Sequence, residues 1–243
     1  LTKPWEYIRL ATEAFGAAAA VGAASVLVFP KLPQYIVTAT KSKVMALANM
    51  IPVAGAYKVA AAITLWNFVA VVMATFGGLI ALMLDKIAVK YSPHHMRVLM
   101  EGPPYADLVI KAARFLFGYE GNDYKEADVI LTLKLGPLIV PAINGFAAGA
   151  FFCSLATTKG AHEVLKFLMA PNGYVEFPAV ILAGAMGLHM ADLLIDRIDP
   201  SQWPDVDLRV PPWVVRNVSI FLLGIIFAAV LEVKVAPIIV AKG

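Results

Sequence analysis

Charge is scarce in this sequence. Only 15% of its 243 residues are Asp, Glu, Lys or Arg, while 60% belong to the apolar and aromatic set; soluble domains run at about 25% charged and 45–50% apolar. That supply of polar side chains cannot cover a water-facing surface, and with a mean hydropathy of +0.76 the chain reads as a membrane protein. Cysteine is nearly absent: Cys153 stands alone, which excludes an intrachain disulfide and a multi-cysteine metal site and leaves it as a small core residue. An excess of one sign of charge is missing too. The formal net charge is +3, and the bases are scattered rather than banded with aromatics, so nucleic acid is not an expected partner.

Catalytic signatures are also lacking. His94, His95, His162 and His189 form no H-E-x-x-H pair or other familiar ligand spacing. "GAFFCSL" is not a nucleophile elbow, and the glycines sit inside apolar runs rather than between a strand and a helix. Asp192 and Asp196 fall at the end of an apolar run and make no intramembrane dyad. The expectation is a non-enzymatic protein with no metal and no cofactor.

What the sequence does have is apolar runs of about 20 residues, the length a helix needs to cross a bilayer. Five are present: 11–29, 59–84, 129–157, 170–194 and 214–240. The first, rich in Ala, Gly and Val, is stopped by Pro30 and Pro33. It reads as a span rather than a secretory signal, because no clear small-x-small cleavage site is present and further spans follow. The third is interrupted by Gly136-Pro137 and Pro141, which predicts a kinked or broken helix. The fourth is predicted to begin near Glu176 to Pro178, since Pro is favoured in the first turn of a helix; Glu176 would then be a helix-start anchor, its carboxylate stabilised by free N–H groups and the dipole. The fold class is all-α: one polytopic helical membrane domain over 1–243, with about five transmembrane helices and amphipathic interfacial helices.

Between the runs, residues 34–57 mix apolar side chains with Lys41, Lys43 and Asn49, the pattern of an amphipathic helix at the membrane surface. Residues 85–128 form a polar extramembrane loop in which "YADLVIKAARFLFG" reads as one amphipathic helix closed by Gly118. Residues 196–212 form an acidic, proline-rich loop with Trp203 at headgroup level. With five spans, eleven Lys and Arg residues fall on the side of the amino terminus and seven on the other. The positive-inside rule then places the amino terminus in the cytoplasm.

Polar residues at membrane depth are the candidate functional positions, because each costs free energy in lipid unless another group answers it. They are Asn67, Asn144, Asn172, Glu176, His189 and Glu232. Asparagines at such depth most simply bond across helix interfaces. The glutamates ask for more: a buried carboxylate either pairs or takes up a proton. Glu232 lies two residues from Lys234, a spacing that does not face on a helix, so a partner on another span is expected. Gly145-x-x-x-Gly149 and Gly184-x-x-Gly187 read as close-packing surfaces.

"NGFAAG" in the third run, "NGYVEFPAVILAGAMGL" in the fourth and "GIIFAAVLE" in the last, in that order, resemble the stage II sporulation protein M family of multi-pass membrane proteins. "LWNFVAVVMATFGG" in the second is similar to that family's asparagine-led helix. The resemblance implies structural or functional roles for Asn67, Asn144, Gly145, Gly149, Gly173, Glu176, Pro178, Gly184, Gly187 and Glu232. Asn172 stands where the family pattern has a histidine, which removes a titratable group. Sporulating members of the family act as membrane anchors that assemble with peptidoglycan-degrading partners, whereas relatives occur in organisms that do not sporulate, so the sporulation role is not carried over. The resemblance implies an integral scaffold of the plasma membrane that organises protein partners or itself as a homo-oligomer, in contact with the lipid bilayer. Two other readings stay open: a transporter or channel-like protein whose polar residues line a pathway, and a subunit of a larger membrane complex docked through residues 85–128.

Overall fold

A computed structural model describes residues 4–52, 56–92, 103–168, 171–197 and 209–240. Within them the chain is helical, with no strand. The helices are α1 (Pro4–Val28), α2 (Leu32–Met50), α3 (Ala56–Tyr91), α4 (Ala106–Phe117), α5 (Tyr124–Lys159), α6 (Ala161–Leu168), α7 (Pro171–Ile195) and α8 (Pro212–Val240). Four segments are long and apolar enough to cross a membrane: Pro4–Val28, Ala61–Tyr91, Tyr124–Lys159 and Val175–Ile195; α8 adds a shorter apolar run, Pro212–Ala228.

Pairs of contacts fix the directions. Gly145 of α5 lies against the Phe15 backbone of α1 and Gly149 against Ala19, four residues further on in both helices, so α1 and α5 run parallel. Asn67 meets Glu176 and Thr75 meets Ala183, so α3 and α7 run parallel to each other. Tyr7 bonds to Asp192 while Phe15 meets Phe177, so α1 and α7 are antiparallel. The bundle therefore has a near end, where α1 and α5 begin and α3 and α7 finish, and a far end opposite. Trp213, packed on His189, starts α8 at the near end. The core is built by Val71, Leu82, Leu133, Met190, Leu194 and Ile225, all deeply buried.

The third run does not break. α5 is one continuous helix of 36 residues with Pro137 and Pro141 inside it. Each proline leaves the carbonyl four residues earlier without its helical N–H partner, and each such carbonyl is met by a glycine of a neighbouring helix. A methyl group on Gly78 of α3 would lie 2.6 Å from the Leu133 oxygen, and one on Gly184 of α7 would lie 2.7 Å from the Pro137 oxygen. The Cα–H groups of these glycines thus point at the two freed carbonyls, a weak hydrogen bond that recurs where helices approach closely. Prolines are retained in membrane helices when neighbours re-satisfy the backbone in this way.

The fourth run also starts elsewhere. α7 begins at Pro171, which takes the first-turn position that suits proline, so Pro178 sits inside the helix and Glu176 lies beyond the first turn rather than anchoring it. The expected extramembrane helix forms as α4 and ends at Gly118, whose φ of 67° is left-handed and costs a glycine nothing. The Gly118 N–H donates to Arg114 O at 3.0 Å, the bond of a left-handed glycine cap, and the Tyr119 N–H reaches Ala113 O at 3.3 Å. Asp123 then caps α5, its carboxylate accepting from the Glu126 N–H at 3.0 Å. One face of α4, with Val109, Ile110, Ala113 and Phe117, packs on Ala127, Ile130 and Leu131 of α5. Its other face leaves Leu108, Leu116 and Phe115 exposed, the last at 88%. Cys153 is partly exposed rather than core.

Candidate functional site

Two polar groupings tie the bundle together, at different depths. At the near end Lys134 of α5 reaches Asp192 of α7, Nζ to Oδ1, at 2.6 Å. The other oxygen of Asp192 accepts from the Tyr7 hydroxyl of α1 at 2.7 Å. The lysine and aspartate side chains keep 20% and 26% of their exposure, and with Asp192 three residues before the end of α7 and Lys134 just before the charge-free length of α5, the pair stands at the edge of the apolar region rather than within it. Aromatic rings frame it. His189 stacks on Tyr7 with centroids 5.1 Å apart and planes 9° from parallel, and Trp213 closes its other side at 5.0 Å. The Lys134 ammonium also lies 5.5 Å from the centre of the Phe117 ring, at the end of α4. Five helices thus meet through one carboxylate, one ammonium and four rings.

The second grouping lies deeper. From Leu135 to Thr158, α5 carries no charged residue over 24 positions, about 36 Å of helix. Glu176 adjoins Phe177, whose ring contacts Phe15 at 5.5 Å and Phe152 at 6.0 Å, which sets it inside that charge-free length, about 10 Å from its nearer limit. There Asn67 Nδ2 donates to Glu176 Oε1 at 2.5 Å, joining α3 to α7. Asn144 does not cross between helices; it turns back to Val140 O at 2.9 Å on its own helix. Thr75, fully buried, reaches Ala183 O at 3.4 Å. Asn172 and Gly173 lie in α7 and Glu232 and Lys234 in α8, but their side chains fall outside the described residues, as do His94, His95 and Trp203 altogether.

The small residues are spacers of a strict kind. Side chains on Gly145 and Gly149 would run into the Phe15 and Ala19 carbonyls, and one on Gly187 would come within 2.5 Å of Ala74 O. Among the described residues no group of three His, Cys, Asp or Glu stands close enough to hold a metal ion. The chemistry on offer is a carboxylate–amide bond inside the bundle and an aromatic-framed ion pair at its edge.

Reading the sequence singled out Glu176 and Asn67 separately and missed that they meet. Lys134, inside the third apolar run, is not among the positions it singles out, and it does not connect Tyr7, Asp192 and His189. A signal was there: a lysine inside an apolar helix needs an acid, and Asp192 is the acid near the end of the fourth run.

A model of the family described as Stage II sporulation protein M matches residues 112–237. The chain belongs to that family. No curated protein and no solved structure matches it. The family match begins in α4 and runs through α5, α7 and most of α8, so it contains both Lys134 and Asp192 and Glu176, but not Asn67 or Tyr7. In this member of the stage II sporulation protein M family, α1 and α3 therefore supply, from outside the matched region, one partner to each of the two polar ties.

Proposed function

We propose that this protein is a non-enzymatic scaffold of the plasma membrane that organises protein partners, with its amino terminus and near end in the cytoplasm. The observation that carries the reading is α4: one face is fixed to α5 and the other presents Leu108, Phe115 and Leu116 outward, an apolar surface on a polar segment, which marks an interaction site. The orientation rests on eleven Lys and Arg residues against seven. Support also comes from the polar groups inside the bundle and at its edge, which join helices to one another. Affinity purification in mild detergent followed by native mass spectrometry tests it. Wild type is expected to carry partners or form a defined homo-oligomer, and a Leu108→Glu/Phe115→Glu variant and one lacking residues 94–120 to lose them. Monomers unchanged in all three would refute the scaffold.

A transporter is the second reading, favoured by the depth of the Glu176 carboxylate. It predicts an ion flux in vesicles that Glu176→Gln abolishes, and such a flux would displace the scaffold.

A further inference from the structure

The far end of the bundle is short of acids. Between Glu13 and Asp85 the chain has no Asp or Glu, yet it carries Lys31, Lys41, Lys43 and Lys58. α1 finishes and α3 begins at the far end, so α2, which joins them, belongs there. The segment 159–168, also at the far end, adds Lys159 and Lys166 with a single acid, Glu163, and Lys166 already engages that acid at 2.9 Å. In these two segments six lysines thus stand against one carboxylate, and the end of α8 adds one acid and one base, Glu232 and Lys234. Near-end segments 4–13, 85–92, 103–134, 192–197 and 209–216 hold ten acids and ten bases. Among the described residues Lys31, Lys41 and Lys43 reach no carboxylate; the Lys43 ammonium lies 5.6 Å from the centre of the Trp66 ring.

α2 also exposes apolar side chains among its polar ones. It buries Pro33 and Ala48 while Tyr35, Val37, Met45 and Met50 stay open, and it continues the exposed apolar surface of Leu27, Val28 and Phe29 at the end of α1. Lysines and open apolar side chains together on a helix at the end of a membrane bundle describe a helix seated in the headgroup layer. Continuity with the lipid-facing end of α1 identifies which anion arrives at this level.

We propose that α2, with Lys31 and Lys41, binds the anionic phospholipid headgroups of the bilayer that holds the bundle. A zwitterionic headgroup offers these lysines no net field, whereas each lysine near an anionic surface favours binding about fivefold. Its apolar side chains hold the helix at the depth where the ammonium groups meet phosphate.

The test is native mass spectrometry of the full chain in mild detergent with equal amounts of phosphatidylglycerol and phosphatidylcholine. Wild type is expected to retain phosphatidylglycerol in preference, and Lys31→Gln/Lys41→Gln to lose up to about 25-fold of that preference. Lys31→Arg/Lys41→Arg should keep it, as should Lys86→Gln/Lys90→Gln at the near end. All four lysines are exposed or half-exposed, and matching thermal unfolding curves verify that the variants fold. No preference in wild type, the same preference in the glutamine variant, or its loss in the near-end variant alone would overturn the proposal. Displacement of the lipid by inorganic phosphate would also overturn it, by making the site one for a free anion.

Discussion

The two ends of this bundle handle charge in opposite ways. At the near end acids and bases occur in equal number, and the ones that matter for assembly answer each other: Lys134 and Asp192 pair at 2.6 Å, with Tyr7 on the remaining oxygen. At the far end lysines gather on α2 and around it with almost no acid in reach. A charge whose partner is built into the same chain holds helices together. A charge left without such a partner is directed outward, toward whatever surrounds the molecule. The same residue type, lysine, is a tie in α5 and an outward contact in α2, and the difference lies in whether the topology brings a carboxylate to it.

Three substitutions break or sharpen that contrast. The largest effect is expected between the ends, where backbones rather than charges meet. Gly149→Leu places a side chain on the Ala19 carbonyl of α1, and two rigid backbones cannot yield as a flexible side chain would. The monodisperse species should disappear from size-exclusion chromatography, and an unchanged profile would show that α1 does not dock here. Next comes Lys134→Met, which strands Asp192 at the near end. Breaking one half of a buried pair costs about 3–5 kcal/mol, and the residual exposure of both groups reduces that to about 2 kcal/mol. The double variant Lys134→Met/Asp192→Leu should recover much of the loss in thermal unfolding; additive losses would mean the pair is not coupled.

The smallest effect concerns Tyr119, between α4 and α5. Burial, followed by its hydrogen bond to Glu126, pushes the phenol up to about 12 from an ordinary 10.0. The folded state therefore holds a proton that the unfolded chain releases, so stability is intact below pH 10 and falls as pH rises toward 12. Tyr119→Phe should flatten that slope in unfolding measured from pH 9 upward. An identical slope would place the titration elsewhere.

Much of the fold is legible in the sequence, because spans depend on length and apolar content alone. The amphipathic helix closed by Gly118 is legible for the same local reason: α4 ends where a left-handed residue is needed and glycine is present. A break at Pro137 and Pro141 does not occur because continuity there depends on neighbours, and the start expected near Pro178 falls instead at Pro171, another proline that suits a first turn. Proline interrupts a helix in isolation, and here Gly78 and Gly184 arrive from other helices to meet the freed carbonyls. The polar ties are hidden for a similar reason. Asn67 and Glu176 are 109 residues apart and Tyr7 and Asp192 are 185 apart, and no local pattern connects them. Lys134 offered a clue by being charged in an apolar run, and the clue became specific only once α1, α5 and α7 were placed side by side.

The carbonyls freed by Pro137 and Pro141 bear on how the protein is made. A ribosome delivers α3 before α5 and α5 before α7, so when α5 first enters the bilayer the Leu133 oxygen finds Gly78 already there, while the Pro137 oxygen waits for Gly184, which is not yet synthesised. Until α7 arrives, the Pro137 oxygen lacks even that weak Cα–H donor, a difference of about 0.5–1 kcal/mol. That difference gives the nascent chain a sense of order: the half-built bundle is held open on one side, and the helix that closes it is the one that brings Glu176 and Asp192 with it.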